Sequence, residues 1–305
     1  MPNSTSSTAR RRIRQAICAW RIRRRAVLLV LLGMVYENFF QGQPFRFGSV
    51  LGRIGFTWAC AAGLYLAFGV RVRAAIAVAL LLGYWALNLF LVAPDNPTAG
   101  VFTPQGNIGC WLDRTLLAPL GRISPGSAEL PFENQSLLGN MTATVTAMLG
   151  MFTGEFVRTM RDRLSGNRRA GILALAALAL VAVGWFIAHG CGRWSFPISK
   201  PLWSPSFTLI VGGYSVALFA LFHWLIDVKG WWRHTLFFRV IGMNAITIYL
   251  LPRVFDMRHA TDVLFGRAVA LFPAPWTTVA SVVSNVLVCW LLLYFLYRRK
   301  IYLKV

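Results

Sequence analysis

Residues 226–249 read IDVKGWWRHTLFFRVIGMNAITIY, and this stretch decides the class of fold. A basic, tryptophan-rich turn leads directly into an apolar run that carries an asparagine, Asn244, in its middle. A side-chain amide inside a lipid-embedded helix is costly unless it has a hydrogen-bonding partner. The stretch therefore predicts a membrane-spanning helix that packs against a polar interior.

The composition extends this interpretation to the whole chain. Hydrophobic residues make up 57% of the 305 residues and charged residues only 13%. One soluble core of this size cannot house so many apolar side chains, so we expect an all-α, polytopic transmembrane helix bundle in the lipid bilayer. Apolar runs long enough to cross a bilayer indicate about eight spans, at residues 26–40, 50–70, 74–93, 137–157, 170–188, 205–227, 235–252 and 276–297.

The basic residues predict the orientation of these spans, because lysine and arginine accumulate on the cytoplasmic side. A cytoplasmic N-terminus places most of the 31 lysines and arginines on that side. We therefore expect both termini in the cytoplasm, with residues 1–25 as a basic N-terminal segment and residues 26–305 as the transmembrane domain. The same rule explains the net charge of +21 without nucleic acid as a partner.

Two amphipathic segments are expected to lie along the outer membrane surface as interfacial helices. Residues 105–119 place their apolar side chains on one stripe, with Asn107 as the N-cap and Pro119 as the stop. Residues 253–273 turn their charged side chains away from an apolar face.

The five cysteines lie far apart without metal-ligand spacing, so no metal is expected. Cys110 and Cys191 both map to outer loops, where an oxidising compartment permits a disulfide.

Polar residues inside the spans indicate where a cavity lies. Arg53 falls near the outer end of the second span, where its guanidinium either snorkels outward or lines an outer cavity. Asn244 and Thr247 share one helical face, which favours a cavity lining.

Longer motifs recur in a fixed order: RIRRRAVLLVLLGMVY at 21–36, LGRIGFTW at 51–58, TPQGNIGCWLDRTLL at 103–117, ENQSLLGNMTATVTAMLGMFTGE at 133–155, and the block from FPISKPLWSPSF to GMNAITIYL. With these motifs, nearly the whole chain resembles the heparan-α-glucosaminide N-acetyltransferase family of membrane acetyltransferases. The resemblance implies a bundle that passes an acetyl group from cytoplasmic acetyl-CoA to an amino sugar or glycan on the far side. Gln135 is a departure from the resemblance, since it places an amide where the family usually has a carboxylate.

The resemblance also implies roles for charged and polar residues. Inner arginines would attract the phosphates of CoA, namely Arg24, Arg25, Arg71 and Arg73. The passage to the outer sugar would be lined by Arg53, Asp113, Arg114 and Asn244. For the inner arginines the alternative is the charge rule alone, which already accounts for them.

The family's catalytic histidine lies in a segment that would precede the first span of this chain. Three expectations follow: the sequence starts late, a separate N-terminal polypeptide supplies the base, or the activity has been lost. Within the chain, His189 and His259 are the candidates for a base at the outer face. The alternative function is a non-enzymatic membrane module: a transporter, a flippase or a partner of a polysaccharide-assembly complex. In each case the expected location is a bacterial inner (plasma) membrane.

The charge map predicts the sidedness of two positions. A topology reporter fused after Gly126 should give the signal of the outer compartment, and one fused after Lys304 the signal of the cytoplasm, because basic residues resist translocation. A cytoplasmic signal at Gly126 would overturn the map.

Overall fold

The fold is all-α, as predicted, in a computed structural model that describes residues 4–39, 48–117 and 136–303. Within those ranges the β-type pairing consists of one isolated antiparallel bridge between Val92 and Asn107. The chain divides between Trp224 and Leu225 into two compact units, and each is described by itself.

The first unit contains seven α-helices among its described residues, and a short 3₁₀ turn at Gly192–Trp194 follows the sixth. The helices are α1 Ser4–Phe39, α2 Val50–Ala67, α3 Val70–Phe90, α4 Ile108–Leu117, α5 Asn140–Thr159, α6 Gly166–His189 and α7 Pro205–Phe222. After α7 the chain continues as a π-helical turn over His223–Val228.

Serine side chains begin three of these helices. Ser49 Oγ accepts a hydrogen bond from Gly52 N at 2.9 Å at the start of α2. Ser165 caps α6, and Ser204 caps α7 with Pro205 in the first turn. A serine oxygen satisfies a backbone N–H that lacks a helical partner, and proline fits where no N–H is needed. The local sequence therefore sets where these helices begin.

Helices α6 and α7 form the most extensive helix pair of the first unit, and glycines allow the close approach. A Cβ atom on Gly184 of α6 would lie 2.8 Å from Ile210 Cγ1 and 2.9 Å from the carbonyl oxygen of Ser206. A Cβ atom on Gly213 of α7 would lie 2.8 Å from the carbonyl oxygen of Ala177. Small residues at such contacts bring helix backbones together, which is the usual way that helices associate in lipid.

The second unit contains a 3₁₀ turn at Trp231–Thr235, which includes the tryptophans of the basic turn. Four α-helices follow: α8 Leu236–Met243, α9 Ala245–Val254, α10 Met257–Val269 and α11 Trp276–Arg298. Asn285 of α11 accepts a hydrogen bond at 3.2 Å from Thr261 of α10.

Five helical segments in the described residues are long and apolar enough to cross a membrane. They are Val50–Ala67, Val70–Phe90, Gly166–His189, Pro205–Val228 and Trp276–Arg298. A bent pair, Trp231–Met243 with Ala245–Pro252, makes a sixth if it counts as one span. The other two of the eight predicted spans fall on α1 and α5, and neither helix contains a stretch that is both long and apolar enough to cross a membrane. In α1 the apolar run is short between Arg25 and Glu37, and α5 carries several threonines.

The prediction that Asn244 lies in the middle of a continuous helix is wrong. Helices α8 and α9 meet at Asn244 with a bend of 59°. The Asn244 backbone (φ −120°, ψ 28°) is not helical, and its Nδ2 donates to the carbonyl oxygen of Val240 at 3.1 Å. The amide therefore occupies a helix break, where it satisfies a backbone carbonyl.

Both amphipathic segments form helices. Asn107 caps α4 as predicted, since its Oδ1 accepts from Gly109 N at 2.9 Å and from Cys110 N at 3.2 Å. The predicted stop at Pro119 lies outside the described residues. The second segment was expected to begin at residue 253, but α10 begins at Met257 because Phe255 is extended and Asp256 caps the new helix. Their location on an outer surface stays a prediction, as does the domain boundary at residue 25, which falls within α1.

The tight α6–α7 contact predicts different effects for two glycines of α6. Gly184→Val should lower the free energy of unfolding by about 1–3 kcal/mol, because the new side chain overlaps the backbone of α7. Gly171→Val is the control, since a Cβ atom there meets nothing within 4 Å. Thermal unfolding in detergent measures both variants, and equal melting temperatures would contradict the described packing.

Candidate functional site

A cavity of about 1320 Å³ lies within the first unit. Its walls come from α1, α2, α5 and the turn at residues 200–203. Four basic side chains line it, and the lining residues that the structure describes include neither aspartate nor glutamate. The basic residues are Arg21, Arg25, Arg53 and Lys200.

The cavity extends along most of α2. Gly33 of α1 lies against Ser49, and Gly55 of α2 lies against Ala26 and Leu29, so α1 and α2 run antiparallel. The lining includes residues of α2 from Val50 to Leu66, a distance of about 24 Å at a rise of about 1.5 Å per residue. Basic side chains consequently stand at both ends, which we call the Arg53 end and the Arg21 end.

Small side chains line the cavity on α2 beyond Trp58 and on the facing part of α5, which we call its waist. They come from α2 and α5 and are Ala61, Ala62, Ala143, Ala147 and Gly150. The α2 and α5 sides of the waist are therefore apolar, and its basic side chains come from α1.

At the Arg53 end, a buried guanidinium packs against an indole ring. The Arg53 Cζ atom lies 4.7 Å from the centroid of the Trp203 ring, and only 7% of Arg53 is exposed. The attraction between a cation and the face of a tryptophan strengthens when both are withdrawn from water. Trp203 therefore holds the Arg53 side chain at the cavity wall.

Trp203 itself has an unusual backbone conformation, with a φ of +52°. A bulky residue adopts this left-handed conformation only where its surroundings require it. The carbonyl oxygen of Trp203 accepts from Thr142 Oγ1 at 2.6 Å, and its indole N–H donates to Thr146 Oγ1 at 3.2 Å. Two threonines of α5 thus hold the backbone and the ring of Trp203 together.

Arg53 and Asp113 meet at one peptide group. Arg53 Nη2 donates to the carbonyl oxygen of Ser136 at 3.3 Å, and Asp113 Oδ1 accepts from the N–H of Leu137 at 3.0 Å. The two predicted site residues are therefore brought together, but Asp113 is buried and lies outside the cavity lining. The hydrogen bond from Leu137 to the Asp113 carboxylate fixes the chain just before α5.

Towards the Arg21 end, and midway along the lining stretch of α2, Arg25 lies over the ring of Trp58 with 5.1 Å between its Cζ atom and the ring centroid. Arg21, Cys18 and Tyr65 also line this end. Exposed guanidinium groups of this kind can form charge-assisted hydrogen bonds with an anionic group such as a phosphate.

Arg73 lies behind the cavity wall. Its guanidinium pairs with Glu155 at 2.9 Å, and its Cζ atom lies 4.7 Å from the ring centroid of Tyr65. Its Nη1 also contacts the Met151 sulfur at 3.5 Å. Arg73 is 97% withdrawn from solvent and supports two lining residues, Tyr65 and Met151, rather than lining the cavity itself.

The remaining predicted residues lie outside the described lining. Arg24 packs over Trp20, and Arg71 is exposed at the start of α3. Arg114 pairs with Asp95 at 2.9 Å. His189 is exposed, and its ring lies tilted against that of Trp185.

Two further predicted residues belong to the second unit. Asn244 is buried at the α8–α9 break, and His259 is exposed on α10. The cysteines named for a disulfide, Cys110 and Cys191, both carry free thiols.

Sequence reasoning missed four of the lining residues that matter most to the site: Arg21, Trp58, Lys200 and Trp203. Lys200 and Trp203 belong to the motif FPISKPLW, which the resemblance had drawn attention to without giving either residue a role. The left-handed backbone of Trp203 has no sequence signal, since that conformation usually selects glycine.

These features define a polytopic helical membrane protein with a cavity lined by basic side chains. Among curated proteins, the chain is similar to the heparan-alpha-glucosaminide N-acetyltransferase of Homo sapiens, with 26% identity over 349 aligned positions that cover 94% of this chain and 48% of the human protein. The protein of the same name from Mus musculus is 26% identical over 255 positions, which cover 72% of this chain and 35% of the mouse protein.

These similarities confirm the resemblance that the motifs predict. The chain spans about half the length of the human relative and a smaller share of the mouse protein. No protein-family model matches the chain.

The Arg73–Glu155 pair predicts a contrast between two arginines of α3. Arg73→Gln should lower the free energy of unfolding by about 3 kcal/mol, because it leaves a largely buried carboxylate without its partner. Arg71→Gln is the matched control and should change it by less than about 0.5 kcal/mol, since Arg71 is exposed. Detergent melting curves measure both, and a stable Arg73→Gln variant would argue against the pair as a support of the wall.

Proposed function

We propose that the chain binds acetyl-CoA in the cavity and passes its acetyl group to an amino sugar on the opposite side of the membrane. The observation that carries this proposal is a single cavity with basic side chains at both ends, in a chain that resembles membrane N-acetyltransferases. In the reaction, the sugar amine attacks the thioester carbonyl. A C–N bond forms, the C–S bond breaks, the amine loses a proton, and CoA leaves as the thiol.

The Arg21 end is the proposed donor site. Arg21 and Arg25 would bind the phosphates of CoA by charge-assisted hydrogen bonds. Because arginines concentrate on the cytoplasmic side, this end would face the cytoplasm, where the donor is found. The pantetheine arm would then extend along α2 into the waist, where small side chains leave room for it.

The Arg53 end is the proposed acceptor site. Lys200 is exposed there, and the indole ring of Trp203 lies next to Arg53, held by its hydrogen bond to Thr146. The described lining contains no histidine, so the group that takes the proton of the amine would lie elsewhere. His189 and His259 stay proposals for that role.

The alternative is a transporter or flippase that uses the same cavity as a passage, without chemistry. Incubation with acetyl-labelled acetyl-CoA and glucosamine separates the two functions. Labelled N-acetylglucosamine is the product of the transferase, whereas a transporter would move its substrate unchanged.

Donor binding provides a test that does not depend on the proton acceptor. In lipid nanodiscs, Arg25→Gln should weaken acetyl-CoA binding about tenfold, the effect of losing one hydrogen bond between charged groups. Arg24→Gln is the matched control. Arg24 is the neighbour of Arg25 in sequence, but it packs on Trp20 outside the cavity lining. Isothermal titration calorimetry measures both.

S-acetylpantetheine, which lacks the nucleotide phosphates, tests the assignment of Arg25. Its binding should be the same for the Arg25→Gln variant and the parent. The proposal fails if acetyl-CoA does not bind, or if Arg24→Gln weakens binding as much as Arg25→Gln.

A further inference from the structure

An aromatic column runs along one side of the second unit. The ring of Phe237 in α8 stacks on Trp290 of α11 with centroids 5.8 Å apart, and Trp290 stacks on Tyr294 at 5.1 Å. Both pairs are close to parallel, at 15° and 10°. The column follows the tryptophan-rich basic turn, a motif that the proposed acetyl transfer does not use.

Two tyrosine hydroxyls near the end of this column hold guanidinium groups. Arg239 Nη2 donates to Tyr297 Oη at 2.8 Å, and Arg298 Nη1 donates to Tyr294 Oη at 3.5 Å. Tyr294 and Tyr297 are three residues apart on α11 and therefore lie on the same face. The arrangement places two guanidinium groups on that one face.

The position of Arg239 is not explained by helix electrostatics. Arg298 lies in the last turn of α11, where the helix dipole favours a cation. Arg239 is the fourth of the eight residues of α8, outside the last turn where the dipole favours a cation. Neither arginine forms an ion pair with a described residue, and α8, α9 and α11 contain no acidic residue. A bound anion would compensate the charge of both guanidinium groups.

Exposed apolar side chains flank the two arginines along α8 and α11. Phe238, Leu291 and Phe295 are 56%, 47% and 53% exposed. Arg233, Arg299 and Lys300 add further positive charge in the flanking segments. A soluble anion would use only the charges, whereas a lipid would use both the charges and the apolar surface.

We infer that Arg239 and Arg298 bind the phosphate of an anionic phospholipid, whose acyl chain lies along the aromatic column. Basic pockets of transmembrane helices are known to hold such headgroups. The site lies entirely in the second unit, so it is independent of the proposed acetyl transfer.

Native mass spectrometry of the purified full chain tests this site with two lipids of equal chain length. Phosphatidylglycerol should remain bound more tightly than phosphatidylcholine. Arg239→Gln and Arg298→Gln should each reduce phosphatidylglycerol retention about tenfold, by loss of one charged hydrogen bond. Arg267→Gln on α10 is the matched control, since Arg267 is an exposed arginine of the same unit. It should retain the lipid as the parent does.

A second variant covers the case in which Arg239→Gln fails to fold. Tyr297→Phe keeps the ring and the charge of Arg239 but removes the hydroxyl that positions it, and should reduce retention less, by about threefold. The inference is overturned if phosphatidylcholine binds equally well, if Arg267→Gln has the same effect, or if inorganic phosphate displaces the lipid. Acetyl-CoA binding, measured in parallel, should not change in any of these variants.

Discussion

The buried charge of Arg53 is the constraint on which the architecture of the first unit depends. A guanidinium withdrawn from water must be compensated by polar or aromatic partners. Here the compensation comes from the Trp203 ring and the carbonyl oxygen of Ser136, which belong to different segments of the chain. The contacts of this one side chain thus join α2 to the turn at residues 200–203 and to the segment that leads into α5. The shape of the Arg53 end of the cavity is a consequence.

The helices could be predicted more accurately than the breaks between them. Lipid forces every backbone group to find a partner within a helix, so apolar runs locate spans well. The bend at Asn244 could not be predicted in this way, because the mean hydropathy of a long apolar run carries no information about the direction of the chain. Gly242 was the available local signal, since glycine is a weak helix former. Asp256, an N-cap residue by type, likewise indicated where α10 begins.

Within the candidate site, single residues were easier to predict than their partners. Arg25 and Arg53, which the charge pattern singled out for different roles, both line the cavity. Arg73 lies behind the wall because its partner, Glu155, belongs to α5, and a pair so distant in sequence has no local signature. Trp203 depends still more on tertiary structure, since its conformation is imposed by two threonines of another helix.

The small side chains of the waist have a consequence for the cavity's bore. Ala61, Ala147 and Gly150 set its width through their size alone, and a Cβ atom on Gly150 meets nothing within 4 Å. Larger residues at these positions would narrow the bore without removing any charge from either end. The width of this cavity and the charge of its lining are therefore set by different residues. Related sequences could admit longer or shorter groups by exchanging alanine, glycine and valine here, while the same arginines keep the ends positive.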